Sequence, residues 1–328
     1  MRLQHANVYA ERDAFIQGNS IYILLDTHSM SATSSATPYF QTMSPVPPEP
    51  TPSQAPPSLA TATREPEPTS TKHSDFPKVK LRLELRDLSH KSTDLFLKNF
   101  NSAKDFANLV DVVLKRLYTF PNHDDPSTSL PMPSTTKIPG TRSVTLILRD
   151  MDGVAYTTGS DIDNDHKEIH LSLSYLNHVT SEKARNEILG VVCHELVHCV
   201  QWNAKGTCNG GLIEGIADWV RLNAGFVPSH WKKEAGERWD TGYQNTGYFL
   251  NWIEKTRGTG SIYVVNQALC HKRYDNNTFW KELFGQGVDD LWKEYTESLK
   301  KSKDRSESFS DPNLKMQVRI KKEVEGHS

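Results

Sequence analysis

Cys193-His194-Glu195-Leu196-Val197-His198-Cys199 lies within a run from Arg185 to Trp202 that contains no proline and repeats apolar residues at Leu189, Val192, Leu196 and Val200. That spacing predicts a helix with one face turned to a core. Side chains four apart on a helix stand one turn above another, so His194 and His198 can present two imidazoles to one cation. Zinc accepts imidazole nitrogen at about 2.0–2.1 Å. Glu195, one position on, leans toward the same point without ligating it and can take a proton from a water held there. Gly190, one turn before His194, leaves that face uncrowded. In a chain with thirteen histidines the five-residue pattern is not decisive alone; a third ligand at a suitable distance is needed.

Gly206, Gly210 and Gly211 predict a flexible turn, and a second helical pattern begins at Leu212 and stops at Gly225. Within it Glu214 and Asp218 are four apart and share a face, while Ile213, Ile216, Ala217 and Val220 occupy the sides that can pack. From His198 to Glu214 is 214 − 198 = 16 residues, enough for a turn and a helix that returns beside the first. Glu214 then completes a His₂Glu set and leaves a fourth position open for water, as catalytic zinc requires. Asp218 is placed to accept the ring N–H of His194 or His198 and fix its tautomer.

Outward from this core, Val79, Leu81, Leu83 and Leu85 alternate with charged residues, and Val144, Leu146, Leu148 and Ile169, Leu171, Leu173 repeat the alternation. These predict three strands. Phe106, Leu109, Val110, Val113, Leu114 and Leu117 predict a helix between the first two. From Ser181 the pattern is mostly helical, through Phe279–Phe284 and Leu291–Tyr295. Strands first and helices afterwards indicate an α+β domain. Its expected limits are residues 76–299. Residues 1–75 are expected to be disordered: the Pro/Ser/Thr-rich part from Ser29 to Ser74 has too few large apolar residues to offset its ordering entropy. Residues 300–328 are expected to form a disordered charged tail.

The 328 residues carry a formal net charge of −2, without the basic field of a nucleic-acid binder. No stretch approaches the ~20 apolar residues of a membrane span. The run Ile21 to Leu25, ended by Asp26, is shorter than the roughly 7–15 residues of a signal-peptide core, so no secretory signal is expected and the compartment stays open. Cys193, Cys199, Cys208 and Cys270 form no C-x-x-C pair and read as small buried residues. Asp161, Asp163 and Asp165 resemble a calcium loop only superficially, since His166 stands where glycine is needed and Ser172 where glutamate is needed. No G-x-S-x-G motif supports a serine nucleophile. Oligomeric state is left open.

The blocks His194-Glu195-Leu196-Val197-His198, Gln201-Trp202-Asn203 and Gly210-Gly211-Leu212-Ile213-Glu214-Gly215-Ile216-Ala217-Asp218-Trp219-Val220-Arg221 resemble the plant basic secretory proteins, grouped with bacterial and fungal relatives as peptidases of plants and bacteria. Asp150-Met151-Asp152-Gly153-Val154-Ala155-Tyr156, Tyr243 to Trp252, Phe279-Trp280-Lys281-Glu282-Leu283 and Leu291-Trp292-Lys293-Glu294-Tyr295 extend the likeness over roughly residues 78–298. The resemblance implies a zincin-like domain cleaving peptide or protein substrates. It implies Zn²⁺ on His194, His198 and Glu214, with Glu195 as base. Members are often secreted and basic; this chain is mildly acidic and carries a long N-terminal extension. By the same likeness, segment 168–174 is expected to be the edge strand that takes up the substrate backbone. A stabiliser for the developing oxyanion is sought in the Gly-rich stretch after the second helix, with Tyr243 ranked before Tyr248 and His230. The competing function is a non-catalytic zincin-fold protein that binds partners in defence or at surfaces; the retained Glu195 favours the enzyme.

Overall fold

The computed structural model describes residues 14–17, 20–23, 76–120 and 130–310. Two short strands, β1 (Ala14–Gln17) and β2 (Ser20–Ile23), pair antiparallel within the stretch expected to be disordered. The remainder of residues 1–75 lies outside the described residues. By internal contacts the chain divides into residues 1–26 with 77–328, and residues 27–76; of the second unit only Phe76 is described.

In the larger unit, β3 (Lys80–Leu85) leads to α1 (Lys91–Asn99) and α2 (Asp105–Tyr118). Then come β4 (Ser143–Arg149), β5 (Ala155–Gly159), β6 (His166–Ser172) and the short α3 (Leu173–Leu176). The rest is helical: α4 (Ser181–Val200), α5 (Gly210–Asn223), α6 (Tyr243–Thr256), α7 (Ser261–His271), α8 (Phe279–Phe284) and α9 (Val288–Ser310). The fold is α+β. Helix α9 continues past residue 299, where the charge pattern had placed the end of the folded part. None of the described helices is long and apolar enough to cross a membrane.

The sheet runs β3-β4-β6-β5, with β3, β4 and β6 parallel and β5 antiparallel to β6. Strand β4 is interior and nearly continuous in buried residues, with Val144, Leu146, Ile147 and Leu148 all at or below 1% exposure. Strands covered on both faces read that way. Two sequence expectations change here. Segment 168–174 is not an edge: its strand part, β6, is paired to β4 on one side and β5 on the other, and Leu173 already begins α3. The sheet ends in β3 on one side and β5 on the other; β5, which β2 also approaches, is a five-residue element that the apolar alternation does not mark because only Ala155 and Thr157 are buried on it.

Helix α4 occupies the middle of the unit, touching α1, α2, α5, β5 and β6. Every residue from Ile188 to Val197 is buried, so this helix has no polar face over that span, as expected for a helix enclosed by its neighbours. Its histidines and Glu195 are therefore interior groups.

Helix α5 crosses α6 very closely. A Cβ on Gly215 would lie 2.2 Å from Thr246 Cγ2, and one on Gly247 would lie 3.2 Å from Asp218 Cβ. The Gly-rich stretch that carries Tyr243 and Tyr248 is part of the helical run expected from Ser181 onward. It is a helix whose glycine lets two backbones approach. An aromatic cluster of Phe249, Trp280, Trp292 and Tyr295 fastens α6 to α8 and α9.

Candidate metal centre

Helix α5 starts at Gly210, two residues before the apolar pattern indicates, because the Asn209 side chain accepts the Leu212 amide as an N-cap. Gly211 belongs to this start: a Cβ there would sit 2.0 Å from the Asp240 carbonyl oxygen. The helix then returns beside α4 and points Glu214 at the two histidines. His194 Nε2 lies 3.1 Å from His198 Nε2 and 3.1 Å from Glu214 Oε2, and His198 Nε2 lies 3.6 Å from Glu214 Oε2. Donors placed tetrahedrally at about 2.0–2.2 Å from a cation are separated by about 3.3–3.6 Å. The triangle is the size a single ion needs. Its side chains are at most 7% exposed, and they are the one group of three or more His, Cys, Asp or Glu among the described residues arranged to hold an ion.

Asp218, one turn after Glu214, places Oδ1 2.6 Å from His194 Nδ1. His194 is the histidine so held; His198 Nδ1 is buried with no hydrogen-bond partner among the described residues. Burial alone pushes the His194 imidazole down, but the Asp218 and Glu214 carboxylates outweigh it and raise it to about 10. Burial pushes the Glu214 carboxyl up, and the two imidazoles outweigh that in turn, holding it well below the usual carboxylate range. Two nitrogens and a carboxylate oxygen thus converge where a proton, or a cation, is strongly favoured.

Glu195 is 2% exposed. Its Oε2 accepts from Thr157 Oγ1 at 2.7 Å, and the same hydroxyl lies 3.0 Å from the Glu195 main-chain oxygen. Thr157 was missed from the sequence because β5 was missed. Tyr243 is brought to the centre: its ring lies parallel to His194 at 6.2 Å between centroids. It opens α6 with φ of 46°, a left-handed backbone uncommon outside glycine and costly enough to mark a constrained position. Thr246 holds this entry, accepting the Gly242 amide at 2.9 Å and donating to Trp239 O at 2.7 Å. Tyr248 packs its ring against Trp231 instead, and His230 lies exposed after α5.

Gly190 has a different use from the one its position suggests. A Cβ there would lie 2.6 Å from Arg221 Nε, so the space is filled by the buried Arg221 guanidinium, which pairs with Glu187 at 3.2 Å. In the acidic turn Asp163 is paired with Arg142 and also accepts the Asp165 amide. All four cysteines are free thiols, and burial pushes that of Cys193 up to about 12.

An α+β unit with a buried His-His-Glu triangle, and a further glutamate next in sequence to one of the histidines, defines the class: a domain whose side chains could hold one cation. The family model for peptidases of plants and bacteria matches residues 78–295. The chain belongs to that family, whose name implies peptide or protein substrates. No curated protein and no solved structure matches it.

Proposed function

We propose that this chain is a zinc peptidase of zincin type, with His194, His198 and Glu214 as ligands, Glu195 as general base and Asp218 orienting His194. The observation that carries the reading is the donor triangle with edges of 3.1, 3.1 and 3.6 Å, to which no fourth His, Cys, Asp or Glu is added among the described residues. A structural zinc site would close with a fourth protein ligand; a catalytic one keeps a place for water. Two imidazoles and one carboxylate are also the donor chemistry that suits zinc.

Zinc bound there supplies a water of pKa near 7 and a Lewis acid for the scissile carbonyl. Glu195 takes the proton of the attacking water and passes it to the departing amine. Tyr243, on the constrained entry to α6, is the side chain assigned to steady the developing oxyanion. The strand assigned to the substrate backbone is β5, the end strand that reaches Glu195 through Thr157 and that β2 also approaches.

The test measures zinc content and cleavage of casein, with and without chelator, for the wild type and Glu195→Gln. The variant keeps its zinc and loses turnover by roughly 10²–10⁴. Unchanged turnover in E195Q removes Glu195 from the mechanism. A zinc-loaded, folded wild type that cleaves nothing across a broad peptide library favours the binding-protein reading.

A further inference from the structure

Strand β5 has two sides, and Thr157 uses both. Val154 O accepts from Ser172 N at 2.9 Å, and Ser160 N donates to His166 O at 2.8 Å. The register between them pairs Tyr156 with His170, Thr157 with Ile169 and Thr158 with Glu168. In an antiparallel pair, hydrogen-bonded and non-bonded positions alternate. Positions 154, 156, 158 and 160 therefore bond to β6, while Ala155, Thr157 and Gly159 turn their N–H and C=O away from β6; β2 also approaches β5. Side chains alternate across the two faces in the same step. Ala155 and Thr157 are buried toward α4, and Tyr156 and Thr158 are half-buried on the other face.

Thr157 thus presents main-chain groups to the side away from β6 and its hydroxyl to Glu195. That hydroxyl has one proton to give and three groups in reach: Oε2 at 2.7 Å, the main-chain oxygen at 3.0 Å and the buried Cys199 thiol. Of these the carboxylate oxygen is the strongest acceptor, and it is nearer than the main-chain oxygen. We propose that Thr157 is a positioning residue, fixing one oxygen of the Glu195 carboxylate, leaving the other for proton transfer, and tying the base to β5. The inference rests on the peptidase reading. A glutamate otherwise turns about three side-chain bonds, and a base displaced by an ångström loses much of its rate.

The full-length chain is tested as Thr157→Val, which keeps the shape without the hydroxyl, and Thr157→Ser, which keeps the hydroxyl. In the zinc-loaded protein T157V lowers kcat by about 10–100-fold, with KM and zinc content unchanged, and T157S stays within about threefold of wild type. A second readout needs no activity: thermal unfolding of zinc-free T157V, E195A and the double variant. T157V lowers the melting temperature by about 4–8 °C when Glu195 is present and by far less in the E195A chain. Additive losses overturn the contact, and the proposal with it, whatever the activity. Non-additive losses with unchanged kcat, in an active wild type, overturn the positioning role and leave the peptidase reading standing. Non-additive losses in a wild type that cleaves nothing defeat the peptidase reading and reduce the contact to a structural one. A T157S chain as slow as T157V also overturns the proposal, because the hydroxyl is then not the group that matters.

Discussion

Removing the Asp218 carboxylate tests the centre most directly, since Asp218 touches a proposed ligand and is not one itself. Its Oδ1 lies 2.6 Å from His194 Nδ1, and the two residues are 3% and 5% exposed. A hydrogen bond to a charged group contributes about 1.5–3 kcal/mol. At about 1.4 kcal/mol per decade that is roughly one to two decades of zinc affinity, the range generally found when a partner of a zinc-bound histidine is lost. Asp218→Asn keeps the shape, and its amide oxygen can still accept the ring proton. It should therefore weaken zinc by about tenfold, and Asp218→Ala, which leaves no acceptor, by about a hundredfold. Helix α6 passes close to Asp218 at Gly247, where an added Cβ would lie 3.2 Å from Asp218 Cβ. Competition with a chromogenic chelator near neutral pH reads the affinity, and circular dichroism checks that the variant is folded. A folded D218A chain with wild-type zinc affinity would refute the argument that this carboxylate aims His194.

Three further outcomes are expected. In chelator-treated protein the His194 imidazole rises from 6.5 to about 10 on folding, so between those values the folded state holds more protons than the unfolded one. Its stabilisation is fully present below about 6.5 and is lost as pH rises through about 10, while the depressed Glu214 contributes stability present above its unfolded value and lost as pH falls. Zinc must displace the His194 proton, so its affinity climbs with pH by about tenfold per unit over this window; a flat profile in a calorimetric titration would count against a proton held by the triangle. Tyr243→Phe should retain zinc and lose about 10²-fold in turnover, and unchanged kinetics would end its oxyanion assignment. Gly215→Ala forces a methyl to within 2.2 Å of Thr246, which should cost about 1–3 kcal/mol in the denaturant midpoint and weaken zinc through its neighbour Glu214; an unchanged midpoint would contradict the close α5–α6 crossing.

The triangle was readable because each part is local. Two histidines four apart need only a helix, and a glutamate sixteen residues later needs only a turn and a second helix. The apolar positions around them guarantee both helices regardless of what else the chain does. The Asp218 contact follows from the same spacing: it lies one turn from Glu214, on the face already turned to the histidines. The bounds of helix α6 were not readable for a related reason. Gly242 and Gly247 depress local helix propensity, and the compensation is tertiary, since Gly247 is the residue that permits close packing on α5. Arg221 shows the same pattern: a charge in the last turn reads as solvated, yet the missing side chain of Gly190 gives it a buried niche against Glu187.

Sheet order is the harder loss, because it changes which residues are assigned to substrate. Alternating apolar residues identify β4 and β6 well, but alternation says nothing of which strand ends the sheet. The end strand β5 carries no Val, Leu or Ile, unlike β3, β4 and β6, and an end position tolerates that. A strand with one edge unpaired gains less from large apolar side chains, and a long apolar run there would invite pairing with other chains. Ala155-Tyr156-Thr157-Thr158-Gly159 satisfies that constraint with five residues. The same constraint puts a threonine, rather than a valine of equal shape, where a hydroxyl can meet the Glu195 carboxylate. A polar residue on the buried face of a short strand therefore signals an interior polar partner, and in this chain that partner is the residue proposed to move the proton.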